Sequence, residues 1–263
     1  MFLHGLGDHG GRHAAVLEQF VKRGIVCVAP DLPGHGLSDG QRGFIPSLDA
    51  VHSIISENLA WVRDQVGNPL SPGGLLGHSM GGFLSLDYLA RYPDEFAFAW
   101  TSSPLIDARW NQSKWLQVAV GVLGKAIPRL SISSRVTSGA CKRNPQRILE
   151  TQRDKLVHRR LSVGLGRLLL MATAQIPGLI HRIHPDLRLL ITHGSNDVIC
   201  PSHLSRELFD QMPNRDKNYA HLEGLLHEPF NDIGCEAFFN ALGQWLDRLD
   251  LTQWCQSVPC QAA

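Results

Sequence analysis

The chain has 263 residues, 43% of them hydrophobic and 19% charged, with a formal net charge of +1. That apolar content excludes a disordered chain, and no Gly-x-y period or heptad run points to collagen or a coiled coil. The longest mostly apolar stretch, Trp115 to Ile127, contains Lys125 and is too short to span a bilayer, and the opening Met-Phe-Leu-His-Gly has no basic segment leading into an apolar one, so no signal peptide is visible.

Met1 to His4 is a short apolar run ending in His-Gly. Ala14 to Arg23 has helical spacing, with Val16, Leu17, Phe20 and Val21 on one face. Ile25 to Ala29, closed by Pro30-Asp31-Leu32-Pro33-Gly34, predicts a strand and then a turn. Leu48 to Val66 reads as an amphipathic helix, Gly73 to His78 as a strand, Met80 to Tyr92 as a helix and Phe96 to Thr101 as a strand. Later come a strand at Leu189 to His193, a helix at Leu204 to Met212, a weaker strand at Asn218 to Leu222 and a helix at Cys235 to Leu249. Strands that alternate with helices imply a mostly parallel sheet flanked by helices, the α/β class. The exception is Leu105 to Pro185, mostly helical and rich in Leu, Arg and Lys. It is predicted to be a helical cap inserted into a core made of residues 1–104 and 186–263.

Charge is unevenly distributed. Between Pro104 and Arg188 there are 15 basic and 4 acidic residues, a local net of +11, while the rest of the chain carries −10. Lys142, Arg143, Arg147, Arg153, Lys155, Arg159 and Arg160 are the densest part. A basic, partly apolar cap suits contact with an anionic lipid surface, against the plainer reading of a solvated charged face. The six cysteines, Cys27, Cys141, Cys200, Cys235, Cys255 and Cys260, form no C-x-x-C pair and no cluster at zinc spacing. A disulfide framework is not expected in a chain of this length without an export signal, although Cys255 and Cys260 are close enough in sequence to pair.

Gly77-His78-Ser79-Met80-Gly81-Gly82 fits G-x-S-x-G between a predicted strand and a predicted helix. In that context Ser79 is a candidate nucleophile, on a strained turn that pushes its hydroxyl clear of the sheet. A serine needs a base, and the base needs an orienting acid. The chain order Ser, acid, His is met by Asp197, just beyond the strand ending at His193, and by His227, in the loop beyond Leu222. The oxyanion donors are expected to be the backbone N–H of Met80, after the nucleophile, and that of Leu6, in His4-Gly5-Leu6-Gly7.

These blocks together resemble α/β-hydrolases of the monoacylglycerol lipase and lysophospholipase type. His4 to Arg12 is similar to that family's H-G-x-G-E-H-x-x-R segment, with Asp8 where the family usually has Glu. Asp31 to Gly40 is similar to its D-x-x-G-H-G-x-S-x-G loop, and Gly77 to Gly82 reproduces G-H-S-M-G-G. Ser102 to Leu105 looks like its entry to the cap, and Gly194 to Asp197 and Glu223 to Glu228 look like its acid and base loops. The resemblance implies a serine carboxylic-ester hydrolase with an acyl-enzyme intermediate and no metal or organic cofactor. It implies Ser79 as nucleophile, Asp197 as acid, His227 as base, and Leu6 and Met80 at the oxyanion hole. It also implies a lipid ester with one acyl chain as substrate, under an apolar cap that includes Trp115, Leu116, Val118, Val120, Val122, Leu123 and Leu168 to Met171. Most of those apolar residues are expected to pack helices together.

The family normally has two strands before the H-G loop, so N-terminal strands are expected to be missing and the strand Ile25 to Ala29 to be an exposed edge. The expected setting is cytoplasmic, peripheral at membranes, without nucleic-acid partners. Two other readings remain: another hydrolase of the same fold, such as a thioesterase, peptidase or carbon–carbon bond hydrolase, or an inactive truncated chain serving as a binding module.

Overall fold

The computed structural model describes residues 1–67, 73–134 and 136–249, so Cys255 and Cys260 lie outside the described residues. In chain order the first part of the core contributes β1 (Phe2–Leu3), α1 (Ala14–Val21), α2 (Leu48–Val66), β2 (Gly74–His78), α3 (Met80–Arg91) and β3 (Phe98–Ser102). The inserted segment follows as α4 (Lys114–Ala126), β4 (Ser131–Ser133), α5 (Ser138–Cys141), α6 (Pro145–Arg153), β5 (Arg160–Ser162), α7 (Val163–Thr173) and α8 (Ile176–Leu179). The core resumes with β6 (Arg188–Gly194), α9 (Ser202–Gln211), β7 (Lys217–Leu222) and α10 (Glu236–Asp247).

Five strands form one parallel sheet in the order β1-β2-β3-β6-β7. Successive side chains of a strand point to opposite faces, and both faces here are apolar. Leu75, Ala99, Leu189 and Ile191 point into a core shared with α2, α3 and α9. Leu76, Phe98, Trp100 and Leu190 point the other way, onto Val16 and Phe20 of α1 and Phe238, Leu242 and Trp245 of α10. The expected α/β architecture with helices on both faces is therefore observed. Where Ser47 accepts a hydrogen bond from the Ala50 N–H, α2 gains its N-terminal cap.

One predicted strand does not form. Residues 25–29 run beside the sheet but join it through a single bond, from Phe2 N–H to the Val28 carbonyl. The reason lies in β1: its two residues leave only Phe2 on the edge that faces this run, and Pro30, two residues beyond Val28, has no N–H to return. Val26 is 61% exposed, while Ile25, Cys27 and Ala29 rest partly buried on the α1–α10 side of the core.

Within the segment 105–185 the helices are joined by a short antiparallel pair, β4 with β5, which the helical pattern of the sequence did not suggest. The segment meets the core in two ways. Leu165, Leu169, Ile176 and Ile180 of α7, α8 and the turn that follows belong to the same apolar core as Phe83 and Leu84 of α3. The rest of the seam is polar. His158 N–H donates to the Gly7 carbonyl at 2.9 Å, Ser162 N–H to the Gly43 carbonyl at 2.9 Å and Glu228 N–H to the Cys141 carbonyl at 2.8 Å. Ion pairs add Lys142 to Glu228 at 2.6 Å and Arg143 to Asp232 at 2.8 Å. Among the described residues no single helix is long and apolar enough to cross a membrane.

A second buried charge cluster lies between α2 and α3. The fully buried Asp87 carboxylate accepts from His52 Nε2 at 2.9 Å and from Arg91 Nε at 3.0 Å. Burial would raise its pKa, but the His52 and Arg91 hydrogen bonds outweigh that and hold it below the ordinary carboxylate value. Asp87→Ala strands a buried imidazole without its acceptor and should cost about 2–3 kcal/mol in urea unfolding. Because the folded-state pKa is depressed, the contribution of Asp87 is present above the unfolded value of 3.8 and is lost as pH falls below it. The gap between wild type and variant should therefore narrow in acid.

Candidate active site

Ser79, Asp197 and His227 stand just beyond the C-terminal ends of β2, β6 and β7, the edge at which parallel sheets place their sites. Ser79 joins β2 directly to α3. Its φ of 56° is left-handed, a strained value for a residue with a side chain, and its N–H donates to the Ser102 carbonyl at 2.9 Å. Two glycines make the turn sterically allowed. A Cβ on Gly77 would meet the Gly81 carbonyl oxygen at 2.3 Å, and a Cβ on Gly81 would meet the Leu3 carbonyl oxygen at 2.0 Å.

The three side chains are in line. Ser79 Oγ is 3.0 Å from His227 Nε2, and His227 Nδ1 donates to Asp197 Oδ2 at 2.7 Å. Asp197 Oδ1 accepts the backbone N–H groups of Ile199 at 2.8 Å and Cys200 at 2.9 Å. Burial alone would raise the Asp197 carboxyl, but the charge of His227 and hydrogen bonds from His193 and His227 hold it well below the usual range. Burial would likewise lower His227, yet the facing Asp197 wins and leaves the imidazole above its ordinary value. The arrangement suits a base that takes the Ser79 proton, with a carboxylate held in its ionised form facing the resulting imidazolium.

Leu6 and Met80 line the same cavity as Ser79 and His227, about 230 Å³ in volume. Met80 opens α3, so the positive end of that helix faces the place where an oxyanion would form. Its lining mixes apolar residues, Leu105, Val136, Val157, Leu169 and Ile199, with polar ones that include Ser134, Thr137, His158 and Arg159. A hydrogen-bonded cluster of Asp8, Arg12, Thr151 and Glu228 lines it as well. Arg12 donates to Asp8 at 2.8 Å and to Thr151 Oγ1 at 2.8 Å, and lies 3.5 Å from Glu228. Though shorter than glutamate, Asp8 supports its loop, accepting from the His9 N–H at 2.8 Å and lying 3.1 Å from His13 Nε2. Burial raises Glu228, but Lys142 and Arg12 bring it down to about 2.

Several residues of the site were not singled out from the sequence. The His78 ring lies 4.9 Å from that of His227, tilted by 51°, and is pushed well below its ordinary value by burial and by its histidine neighbours, which disfavours a charge there. The thiols of Cys141 and Cys200 line the cavity and are raised by burial, the first to about 12. His193 reaches Asp197 from beneath. The available signal was only that His78 and His193 adjoin motif residues, and 13 histidines make adjacency uninformative.

A family model described as serine aminopeptidase, S33, matches residues 1–234. The monoacylglycerol lipase of Mycolicibacterium smegmatis is 30% identical over 249 residues, covering 92% of this chain and 85% of that protein. An uncharacterized abhydrolase domain-containing protein of Dictyostelium discoideum is 31% identical over 247 residues, and the chain spans only 26% of its length. The crystal structure of the Paleococcus ferrophilus monoacylglycerol lipase superposes with a TM-score of 0.84 at 31% identity, covering 93% of this chain and 92% of that one. The resemblance drawn from the motifs is thereby borne out.

An acid–base prediction follows from the raised His227. Only its neutral form accepts the serine proton, so kcat/KM for a soluble ester should climb with pH and reach half its plateau above 6.5, the unperturbed histidine value. A pH–rate profile between 5 and 9 measures this, and a midpoint below 6.5 would contradict the electrostatics of the Asp197–His227 pair.

Proposed function

Since the chain belongs to the serine aminopeptidase S33 family and is a serine hydrolase of the α/β-hydrolase fold, we propose that it cleaves the ester of a single-acyl-chain lipid, a monoacylglycerol in preference to a lysophospholipid. Ser79 Oγ attacks the ester carbonyl while His227 takes its proton. The Met80 and Leu6 N–H groups receive the oxyanion, and His227 returns the proton to the departing glycerol oxygen. Water then enters by the same route, with His227 again as base, and releases the fatty acid. Asp197 stays ionised throughout and orients His227.

The observation that carries the reading is the mixed lining of the cavity around Ser79, apolar residues together with a hydrogen-bonded polar cluster. The apolar residues suit an acyl chain. The polar cluster suits a headgroup, and its carboxylates are already paired: Asp8 with Arg12, and Glu228 with Arg12 and with the buried Lys142 behind it. An uncharged polyol can hydrogen-bond there, whereas a phosphate beside Asp8 and Glu228 would face two carboxylates whose cations are already engaged; Arg159, which also lines the cavity, donates to the Ser134 carbonyl instead. A panel of monoacylglycerol, lysophosphatidylcholine, acyl thioester and acyl anilide of equal chain length tests this. The monoacylglycerol should lead in kcat/KM by at least about tenfold. Equal rates on the lysophospholipid would remove the charge argument, and a faster thioester or anilide would replace the reading. Ser79→Ala should lose labelling by a fluorophosphonate and several orders of magnitude in rate, and Asp197→Asn should lower kcat strongly while leaving the fold intact.

The same reading includes contact with an anionic lipid surface, through only the Arg159–Arg160 end of the basic run together with α4. Lys142 is fully buried on Glu228, Arg143 is held by Asp232 and Arg147 by Glu150. Arg159 and Arg160 remain exposed on the β4–β5 pair, beside the half-exposed Leu130 and Ile132. In α4, Trp115, Val118 and Val122 are 73%, 66% and 63% exposed, so these three do not pack helices, and Lys114 and Lys125 flank them. An apolar face ringed by cations fits a headgroup layer, with each basic residue adding about 1 kcal/mol near an anionic surface. Sedimentation with phosphatidylserine-containing vesicles should exceed that with neutral vesicles, weaken in salt, and fall in Trp115→Ala and in the double variant Arg159→Glu, Arg160→Glu. Equal binding to both vesicle types would discard the contact.

A further inference from the structure

The acid of the triad has a second histidine behind it. His193, the penultimate residue of β6, has a fully buried side chain, and its Nε2 lies 3.1 Å from Asp197 Oδ2 and 2.6 Å from the Cys200 carbonyl oxygen. A carbonyl and an ionised carboxylate only accept hydrogen bonds, so Nε2 carries a proton and donates it. The opposite ring nitrogen is held as well. Nδ1 is 2.7 Å from Ser205 Oγ on α9, and Ser205 Oγ is 2.8 Å from Tyr219 OH on β7 and 2.9 Å from the Ser202 carbonyl. The ring is thus fixed from three elements of the core.

We propose that His193 is a positioning residue of this hydrolase, whose Nε2–H locks the Asp197 carboxylate in the orientation that faces His227 and weakens that carboxylate's hold on the His227 proton. The inference rests on the catalytic assignment of Ser79, Asp197 and His227 made above. Its physical basis is a count of donors. Asp197 Oδ1 takes two backbone N–H groups, and Oδ2 takes the His227 Nδ1–H and a share of the His193 Nε2–H, which is divided with the Cys200 carbonyl, so the carboxylate has no free direction in which to turn. Each donor to Oδ2 also withdraws negative charge from it. With His193 removed, the whole of that charge would face His227, and the base would hold its proton to higher pH. The other groups around the pair are the thiols of Cys200 and Cys141, the uncharged His78, and the Glu228–Lys142 pair, which act on His227 with opposite signs. On the far side of His193, Tyr219 lies under the Arg206 guanidinium at 5.2 Å.

The test compares His193→Phe, which keeps a ring but no donor, with His193→Gln, whose amide N–H can take the place of Nε2–H. Wild type is first labelled with a fluorophosphonate; failure to label Ser79 would sink the catalytic assignment, a result distinct from any below. For His193→Phe the acid-limb midpoint of kcat/KM should move up by about half a pH unit, with kcat about tenfold lower and KM within about twofold. His193→Gln should return the midpoint to the wild-type position and restore most of kcat. A role in packing alone would lower kcat in both variants with the midpoint unmoved, and that result overturns the proposal. Should His193→Phe fail to fold, wild-type enzyme with ¹⁵N-labelled histidine decides. The His193 Nε2–H signal should be present and should shift when phosphonylation of Ser79 leaves His227 as imidazolium, because both rings share Oδ2. An unprotonated Nε2, or a signal that does not move, overturns the proposal equally.

Discussion

The site depends on a close approach of backbone to backbone: the first turn of α3 lies against the end of β1. The Leu3 carbonyl sits where a Cβ on residue 81 would be, and the Gly81 carbonyl sits where a Cβ on residue 77 would be. Only a chain with glycine at both positions can bring α3 that close to the sheet, and only that closeness forces Ser79 into its left-handed turn. The strain is held by surroundings that leave little alternative. Ser79 N–H is tied to Ser102, its carbonyl accepts from Leu105 N–H, and Met80 through Ala90 are buried. The elbow therefore draws on the core on both sides, from β1 to the start of the inserted segment.

The polar seam between cap and core has a different physical character. Burying Lys142, Glu228, Asp8 and Arg12 together removes four charges from water, which is tolerable only because each faces an opposite charge at short range. Such a cluster specifies geometry more than it stabilises. It fixes the cap helices α5 and α6 against the loop that carries Leu6 and the loop that carries His227. The apolar anchors at α7 and α8 carry most of the attachment, and the ion pairs set its register.

Much of this was legible in the sequence, for physical reasons that can be named. Strands β2, β3 and β6 are buried on both faces, so they appear as short apolar runs between turn signals, and α2 and α3 carry helical spacing over many residues. Ser79, Asp197 and His227 were legible because a fixed order along the chain maps onto loops at one edge of a parallel sheet. Residues 25–29 misled because β-branched composition reports a preference for extended backbone, while a strand also needs a partner with free N–H and carbonyl groups, and β1 offers one bond. The β4–β5 pair was missed because three-residue strands in a helical segment carry no period. The charge of the cap was legible as a sum and not as a surface, since a sequence cannot tell that Lys142 is buried and that Arg143 is held on Asp232.

The two kinds of histidine in this chain show how burial divides chemistry among identical side chains. His227 and His78 lie 4.9 Å apart, ring to ring, and both are buried. One is raised because it faces a carboxylate. The other is lowered because burial and the neighbouring imidazoles oppose a charge, and its Nδ1 donates only to the neutral Ser102 carbonyl. Of these two rings, His227 is the one that favours a proton, at the Nε2 that faces Ser79. Were His78 to accept it as well, the positive charges would sit side by side and the base would titrate in two steps. Keeping His78 uncharged is thus part of what would make His227, the proposed base, titrate singly, and it follows from burial against neighbours such as Phe230, 5.0 Å from the His78 ring, as much as from the proposed triad.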